Sequence, residues 1–312
     1  MIDERPLALF LMGPTAAGKT EAAMALHDQC GCELISVDSA MVYRGLDIGS
    51  AKPSPEELRR APHRLIDIRD PADTYSAADF RTDALQEMRQ ISASGKVPLL
   101  VGGTMLYFKH LLEGVGNLPS SSPEVRAELE QVLANDGLAA LHARLMQVDP
   151  IAGQRIHPND PQRTLRALEV YLLAGRPMSE LWDEQMVTPF PWRVVTLVLA
   201  PEERSFLHQR IALRFRQMLA EGLIDEVSAL RKRNDLHAGL PALKSVGYRQ
   251  VWEHLEGRYD RRRLEEQGII ATRQLAKRQL TWLRSWKNAC WFNIQKADTL
   301  DKMLKLVRES SA

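Results

Sequence analysis

Short apolar runs and amphipathic stretches alternate along the first third of the chain. Residues 7–12, 33–37 and 97–101 are mostly apolar and of strand length, and each run is followed by Gly-Pro, Asp-Ser or Gly-Gly. Residues 20–29 and 77–92 have the periodicity of helices. Because strands that alternate with helices form parallel sheets, this pattern predicts a doubly wound α/β fold.

The pattern changes from residue 119 to residue 191, where helical periodicity and turn clusters replace the strands. The alternation then resumes with strand-like residues 194–199, two long helical regions and a last short strand at 290–294. We therefore expect an α/β core, a parallel sheet flanked by helices, with an inserted all-helical domain. The expected boundaries are 1–118 for the first part of the core, 119–191 for the insertion and 192–312 for the second part.

Composition narrows the picture only slightly. The chain has 312 residues, 45% hydrophobic and 26% charged, which is typical of a soluble globular protein of more than one domain. The formal net charge of +1 gives no overall attraction to a polyanion. Any nucleic-acid surface must therefore arise from local clustering of cations.

The cysteines and the N-terminus indicate the compartment. Only Cys30, Cys32 and Cys290 are present, an odd and small number that argues against a disulfide framework. His27 with Cys30 and Cys32 lacks a fourth metal ligand, so packing is favoured over zinc. The N-terminus does not read as a signal peptide, and no apolar run has the length of a membrane span. We expect a cytoplasmic monomer without membrane contact.

A phosphate-binding loop follows the first predicted strand. Its residues match the pattern G-x-x-x-x-G-K-[ST] between a strand and a helix, and they are Gly13, Pro14, Thr15, Ala16, Ala17, Gly18, Lys19 and Thr20. Glycines let backbone N–H groups point inward, and the helix N-terminus adds a positive dipole end. Lys19 supplies a charge to the phosphates, and the Thr20 hydroxyl is a natural Mg²⁺ ligand. The loop predicts a diphosphate or triphosphate ligand and leaves the rest of that ligand undetermined. With this loop, the expected core is a P-loop NTPase-like parallel sheet flanked by helices, with the inserted all-helical domain.

Asp38 and Thr104 follow the second and third predicted strands. In open α/β sheets the carboxyl ends of strands line the ligand crevice, so both residues should face the phosphate site. Asp38 has three interpretations: a cap of the next turn, a Mg²⁺ ligand or a general base. For Thr104 the alternative is a helix cap. Position alone does not separate these roles.

A helix near the C-terminus is strongly basic. Residues 269–287 contain no Asp or Glu, and helical spacing places Arg273, Lys277, Arg284 and Lys287 on one stripe. Leu275, Trp282 and Trp286 lie opposite. A solvated face is the ordinary interpretation of such a charge run, but solvated faces normally mix signs, so the stripe favours a phosphate backbone as its partner.

Further basic residues lie on two other predicted helices. Arg210 and Arg214 are four residues apart and share one face of a helix, and we expect one of them to reach the substrate phosphates. In the insertion, Asp160 followed by proline predicts a helix start. Gln162, Arg163 and Arg166 then suit base edges or phosphates, although such residues are also ordinary on surfaces.

Several motifs together resemble one family, the bacterial tRNA dimethylallyltransferases. They are 13–20; Asp38, Ser39 and Tyr43; 47–53; 65–68; 102–104 with Leu106 and Tyr107; Asn159, Asp160, Gln162 and Arg163; 166–170; 246–248; and 271–282. Only the first is a general P-loop signal, and the set runs nearly from end to end of the chain.

The resemblance implies transfer of the dimethylallyl group of dimethylallyl diphosphate to N6 of the adenosine 3′ to the anticodon in tRNA. It implies Asp38 as base or N6-orienting acid, Thr104 as its assistant, and Lys19, Arg214 and Thr20 with Mg²⁺ as stabilisers of the leaving diphosphate. The residues implied or predicted to contact tRNA are Asp38, Ser39, Ala40, Met41, Thr104, Arg126, Gln162, Arg163, Thr164, Leu165, Arg166, Lys244, Ser245, Val246, Gly247, Tyr248, Arg249, Arg273, Lys277, Arg278 and Arg284.

Two other functions are compatible with a P-loop. One is a small kinase acting on a nucleoside-like acceptor, although no second nucleotide signature supports it. The other is an RNA-binding regulator that hydrolyses nucleotide without modifying a base. Both would hold ATP in the loop, whereas the transferase would hold a prenyl diphosphate.

Overall fold

The computed structural model describes residues 4–114, 116, 118–183 and 189–311. The chain divides into two compact units. One comprises Met1–Leu112 with Phe190–Ala312, and the other comprises Glu113–Pro189. The helices are α1 Lys19–Cys30, α2 Pro55–Arg60, α3 Ala77–Ala93, α4 Met105–Glu113, α5 Pro123–Val148, α6 Pro150–Arg155, α7 Pro161–Ala174, α8 Met178–Asp183, α9 Arg204–Ala220, α10 Leu223–Arg231, α11 Tyr248–Leu255, α12 Arg261–Arg284 and α13 Thr299–Ser311.

A six-stranded parallel sheet forms the centre of the larger unit. Its strands are β1 Leu7–Met12, β2 Glu33–Val37, β3 His63–Arg64, β4 Pro98–Gly102, β5 Arg193–Ala200 and β6 Ala289–Asn293. Their order is β3-β2-β4-β1-β5-β6, and every pair is parallel. The predicted parallel α/β fold is therefore confirmed.

Both faces of the sheet are buried, as parallel sheets require. Along β1, Phe10 and Met12 belong to one hydrophobic cluster, whereas Leu9 and Leu11 belong to another. This alternation follows from the two-residue period of a strand. Helices cover the two faces, and α13 packs beside α1. The run of apolar residues that predicted β1 is explained by this two-sided burial.

The smaller unit consists of helices α5 to α8 over its described residues. Its core is formed by leucines and other apolar side chains from all four helices. Asp160 caps α7 by accepting a hydrogen bond from Arg163 N at 3.0 Å, so the predicted helix start is confirmed. Buried Glu169 accepts hydrogen bonds from Ser121 Oγ and Ser122 N, which fixes the segment leading into α5.

Some elements differ from the sequence-based expectation. The edge strand β3 has two residues, too few for a hydrophobic period, and α13 was not predicted. Helix α12 ends at Arg284, so the prediction that Lys287 continues its basic stripe is wrong. Within the described ranges, no helix is both long and apolar enough to cross a membrane.

Candidate active site at the carboxyl ends of the strands

Three neighbouring strands end side by side in the larger unit. Met12 of β1 and Val37 of β2 both pair with Gly102 of β4. The chain segments that follow these residues therefore start from the same edge of the sheet. This register places the phosphate loop, Asp38 and Gly103-Thr104 around one crevice, as predicted from the sequence.

The phosphate loop joins Met12 to Lys19, the first residue of α1. Ala16 and Gly18 have left-handed φ angles of 63° and 82°, which curl the backbone. At Gly13 a Cβ atom would lie 2.3 Å from Leu199 O, so a side chain has no room there. Gly13 is thus required by close packing against Leu199, and Gly18 by the left-handed backbone at the start of α1.

Lys19 carries its charge in a buried environment. Its Nζ donates to Gly13 O at 3.0 Å and to Pro14 O at 2.9 Å. Burial lowers the pKa of Lys19 to about 8, the positive charge of Arg214 acts in the same direction, and Asp38 acts against both. A buried ammonium beside a second cation is stabilised by an anion, which is the charge a diphosphate brings.

Helix α9 supplies two arginines to this region. Arg210 Nε donates to Ala16 O in the phosphate loop at 2.8 Å. Burial lowers the pKa of Arg214, while the charge of Asp38 raises it. Arginine nevertheless remains protonated in proteins. The structure therefore brings Arg210 against the loop backbone and Arg214 into electrostatic range of Lys19 and Asp38.

Asp38 caps the turn that follows β2. Its Oδ1 accepts hydrogen bonds from Ala40 N at 2.8 Å and from Met41 N at 3.3 Å. Across the crevice, Thr104 Oγ1 accepts from Ser39 N at 3.2 Å. Asp38 therefore caps this turn, which was one of its three interpretations, and the cap uses only one of the two carboxylate oxygens. Among the residues described, Oδ2 has no hydrogen-bond partner that would occupy it.

Gln279 is a crevice residue that the sequence reasoning missed. Its side chain on α12 is buried, Nε2 donates to Gly103 O at 2.9 Å, and Oε1 accepts from Thr15 N at 2.9 Å. Helical spacing places Gln279 on the same face as buried Ala276 and Leu283. A polar residue on an apolar face was the signal that could have revealed it.

Tyr248, one of the predicted tRNA contacts, lies in the core. Its ring is 0% exposed, and its hydroxyl donates to Glu226 Oε1 at 2.6 Å and accepts from Ser50 N at 3.2 Å. Glu226 also accepts from three successive N–H groups of residues 47–49. This clamp gives Tyr248 a structural role, which corrects its assignment to the tRNA surface.

The other predicted contacts in the larger unit are divided between surface and interior. The exposed ones are Ser39, Lys244 and Arg249, the half-buried ones are Ala40, Met41, Thr104, Ser245 and Val246, and Gly247 is buried. Arg249 pairs with Glu253 at 2.9 Å on the surface of α11.

The basic face of α12 is narrower than its sequence suggested. Lys277, Arg278 and Arg284 are exposed, whereas Arg273 is half-buried and its Nε is enclosed without a hydrogen-bond acceptor. Within the part of the chain that the structure describes, no ion pair involves these four residues. A surface depression is lined by Gln274, Lys277, Arg278, Thr281 and Trp282.

In the helical unit, the start of α7 presents two polar side chains. Gln162 and Arg163 are exposed, and Arg126 donates to Gln162 Oε1 at 3.0 Å. Arg166 instead donates to Glu169 at 3.0 Å and to Pro119 O at 2.6 Å. Thr164 and Leu165 are also predicted tRNA contacts, but their side chains are buried in the core of this unit, which corrects that assignment.

Comparison with known proteins decides the family. The IPP transferase family matches residues 41–286, more than half of the chain. A curated tRNA dimethylallyltransferase from Chromohalobacter salexigens is 60% identical over 311 residues, covering 100% of both chains. The chain belongs to the IPP transferase family. The segment matched by the family begins after the phosphate loop and Asp38, whereas the alignment with the Chromohalobacter relative includes both.

Three solved structures have a similar fold. The tRNA isopentenylpyrophosphate transferase of Bacillus halodurans is 34% identical, with a TM-score of 0.72, and the match covers 99% of this chain and 97% of that one. The Staphylococcus epidermidis enzyme is 32% identical, with a TM-score of 0.68 and 98% coverage of both chains. A eukaryotic dimethylallyltransferase acting on tRNA, 23% identical, shares the fold with a TM-score of 0.79, over 96% of this chain and 78% of its own.

Proposed function

We propose that this protein transfers the dimethylallyl group of dimethylallyl diphosphate to N6 of the adenosine 3′ to the anticodon in tRNA. The products are N6-isopentenyladenosine and diphosphate. The observation that carries the proposal is the crevice, where a phosphate-binding loop lies beside the carboxylate of Asp38 and the hydroxyl of Thr104. The full-length relative at 60% identity is a tRNA dimethylallyltransferase by name, which supports the same reaction.

The phosphate loop would hold the leaving group. Backbone N–H groups at the start of α1 point toward the loop, and Lys19 and Arg214 add positive charge beside it. As the bond between the allylic carbon and the bridging oxygen breaks, negative charge develops on diphosphate. A preorganised donor at such a position contributes about 3 to 4 kcal/mol to lowering the barrier.

Mg²⁺ fits the donor set at this site. In the described residues no group of three or more His, Cys, Asp or Glu side chains is arranged to hold a metal. Mg²⁺ commonly uses one or two protein ligands and takes the rest from phosphate oxygens and water. Thr20, the second residue of α1, would supply the hydroxyl ligand. When bound, the ion neutralises charge on the departing diphosphate.

Asp38 would accept the proton that N6 loses. The N6 lone pair forms the new bond to the allylic carbon, the carbon–oxygen bond electrons leave with diphosphate, and the N6 proton passes to Asp38 Oδ2. Thr104 lies across the crevice and would hydrogen-bond near N6 or the bridging oxygen. The adenine must leave the anticodon-loop stack to enter the crevice, as bases generally must for chemistry at the ring.

Exposed basic and polar side chains would hold the tRNA. Arg126 is half-buried and donates to exposed Gln162. The other residues retained for this role have exposed side chains, and they are Ser39, Gln162, Arg163, Lys244, Arg249, Lys277, Arg278 and Arg284. Contacts to phosphates orient the RNA but do not read its sequence, so the exposed cations would contribute affinity and salt dependence.

Two measurements on the intact chain test this function. In a thermal-shift comparison, dimethylallyl diphosphate with Mg²⁺ should raise the melting temperature more than ATP with Mg²⁺. An anticodon stem-loop RNA incubated with the protein, dimethylallyl diphosphate and Mg²⁺ should then gain the mass of one dimethylallyl group less a proton. Stabilisation by ATP alone, with no mass gain on the RNA, would overturn the proposal in favour of a nucleotide-dependent P-loop protein.

A further inference from the structure

Gln279 connects two loops that are far apart in sequence. Its amide nitrogen donates to Gly103 O, and its amide oxygen accepts from Thr15 N, each at 2.9 Å. The side chain is only 8% exposed. A buried amide that uses both ends fixes the separation of its two partners, because loss of either bond leaves a buried polar group unsatisfied.

The two loops serve opposite sides of the reaction proposed above. Thr15 belongs to the phosphate loop, where the diphosphate would be held. Gly103 directly precedes Thr104, which faces Asp38 and the position proposed for N6. A shift of one loop against the other would change the distance between the allylic carbon and N6, and small misplacements of reacting atoms are costly to rate.

Gly103 packs against this amide without spare room. A Cβ atom at Gly103 would lie 2.4 Å from Gln279 Nε2 and 3.4 Å from Gly13 O. The φ of Gly103 is not in the left-handed region, so alanine is compatible with the backbone. Alanine at this position would therefore act mainly by displacing the Gln279 amide.

We propose that Gln279 is a positioning residue that holds the phosphate loop and the Thr104 loop in register, through hydrogen bonds to Thr15 and Gly103. This inference rests on the proposed function for its consequence in catalysis, but the effect on the phosphate loop is independent of it. Gln279 uses both ends of its side-chain amide on Gly103 O and Thr15 N. It acts through the backbone of the two loops.

The first test separates positioning from general stability. Gln279→Ala should weaken the binding of inorganic diphosphate with Mg²⁺, measured by calorimetry, by about tenfold, the effect of losing roughly one buried hydrogen bond. Affinity for an anticodon stem-loop should stay within about twofold of wild type. Gln86→Ala, on an exposed glutamine of α3, is the matched control and should change neither affinity. Unchanged diphosphate affinity in Gln279→Ala, or an equal loss for RNA, would overturn the proposal.

A double-mutant cycle provides a second test that does not depend on one variant. Gly103→Ala should weaken diphosphate binding to a similar degree as Gln279→Ala, and the double variant should be no weaker than Gln279→Ala alone. If the two losses multiply to about a hundredfold, the amide and Gly103 act separately and the proposal fails.

The same variants separate this inference from the proposed function. Failure of the wild-type protein to prenylate RNA would remove the proposed reaction, while the diphosphate measurements would still decide the role of Gln279. If transfer does occur, Gln279→Ala should lower kcat, because the reacting atoms are misplaced, and raise KM for dimethylallyl diphosphate, while KM for RNA stays unchanged. An increase confined to KM for RNA would contradict the positioning role of Gln279.

Discussion

The crevice and the surface proposed to bind tRNA differ in how well their residues could be foreseen. At the crevice, residues chosen for their place after a strand lie together, and the strand register explains why. On the proposed tRNA surface, residues chosen as neighbours in a motif are divided between solvent and core. Gln162 and Arg163 are exposed, whereas the next two residues are buried. A strand end fixes where a side chain must be, but a stretch of helix exposes only part of its circumference.

The largest expected effect lies in the crevice, at Asp38. Replacing it by alanine should lower the turnover number by about 10² to 10⁴, the usual contribution of a general base, and leave RNA affinity nearly unchanged. The measurement is prenyl transfer to an anticodon stem-loop, together with a direct binding titration of the same RNA.

Asp38→Asn is the control that separates the base from the cap. Asparagine keeps an oxygen for Ala40 N and Met41 N but cannot take a proton from N6. It should therefore be as inactive as the alanine variant and more stable to heat. Near-normal turnover in Asp38→Asn would show that the carboxylate serves only the turn.

A second prediction for the crevice concerns pH. Because burial lowers the pKa of Lys19 to about 8, its ammonium loses its proton as the pH rises through that value. The value of kcat/KM for dimethylallyl diphosphate should then fall by about tenfold per pH unit above the pKa, since the neutral amine no longer attracts diphosphate.

Lys19→Arg tests whether Lys19 causes this fall. Its guanidinium remains charged throughout the range, so whatever activity it retains should stay level where wild-type kcat/KM declines. Parallel pH profiles for the two proteins would assign the decline to another group.

Five of the six strands of the parallel sheet, and the positions of Lys19, Asp38 and Thr104 beside the crevice, could be predicted because they depend on local patterns. An apolar run predicts a two-sided strand, and the residue that follows it faces the crevice. Gln279 could not be assigned in this way. Its partners lie 176 and 264 residues away in the chain, and only tertiary packing brings them within hydrogen-bond distance.

The burial of individual helical residues was the other feature that the sequence did not predict. Tyr248 ends the motif 246–248 and is followed by exposed Arg249, but its contact with Glu226 depends on how α10 and α11 pack. Arg273 shares a stripe with Lys277 and Arg284, yet it is half-buried, and helical spacing places it beside buried Ala276 and Leu280. Family motifs thus combine functional and structural residues without marking which is which.

On the proposed tRNA surface, the exposed cations of α12 should have the largest effect. Changing Lys277 and Arg278 together to alanine should raise the Kd for an anticodon stem-loop about tenfold and reduce the slope of log K against log salt by about 2, one for each phosphate that is no longer neutralised. The turnover number at saturating RNA should not change. An unaltered salt slope would remove these residues from the RNA interface.

Arg163 and Arg166 offer a matched pair on one helix. Arg163→Ala removes an exposed cation and should weaken RNA binding by about threefold, with no change in the melting temperature. Arg166→Ala breaks the hydrogen bonds to Glu169 and Pro119, so its main effect should be a loss of about 1 to 3 kcal/mol of stability. The reverse pattern, with Arg166 affecting only RNA affinity, would restore its predicted role as a tRNA contact.

The smallest expected effect is at Tyr248. Phenylalanine at this position keeps the buried ring and removes only the hydroxyl that bridges Glu226 and Ser50, so unfolding should become easier by about 1 kcal/mol. Affinity for RNA and turnover should match wild type. Ser50→Ala is the companion variant, since it keeps the backbone N–H that donates to the tyrosine hydroxyl. In the Ser50→Ala background, Tyr248→Phe should lower the free energy of unfolding by the same amount as in wild type. A clear loss of RNA affinity without a loss of stability would mean that the family motif had placed Tyr248 correctly at the tRNA, and that the clamp opens when RNA binds.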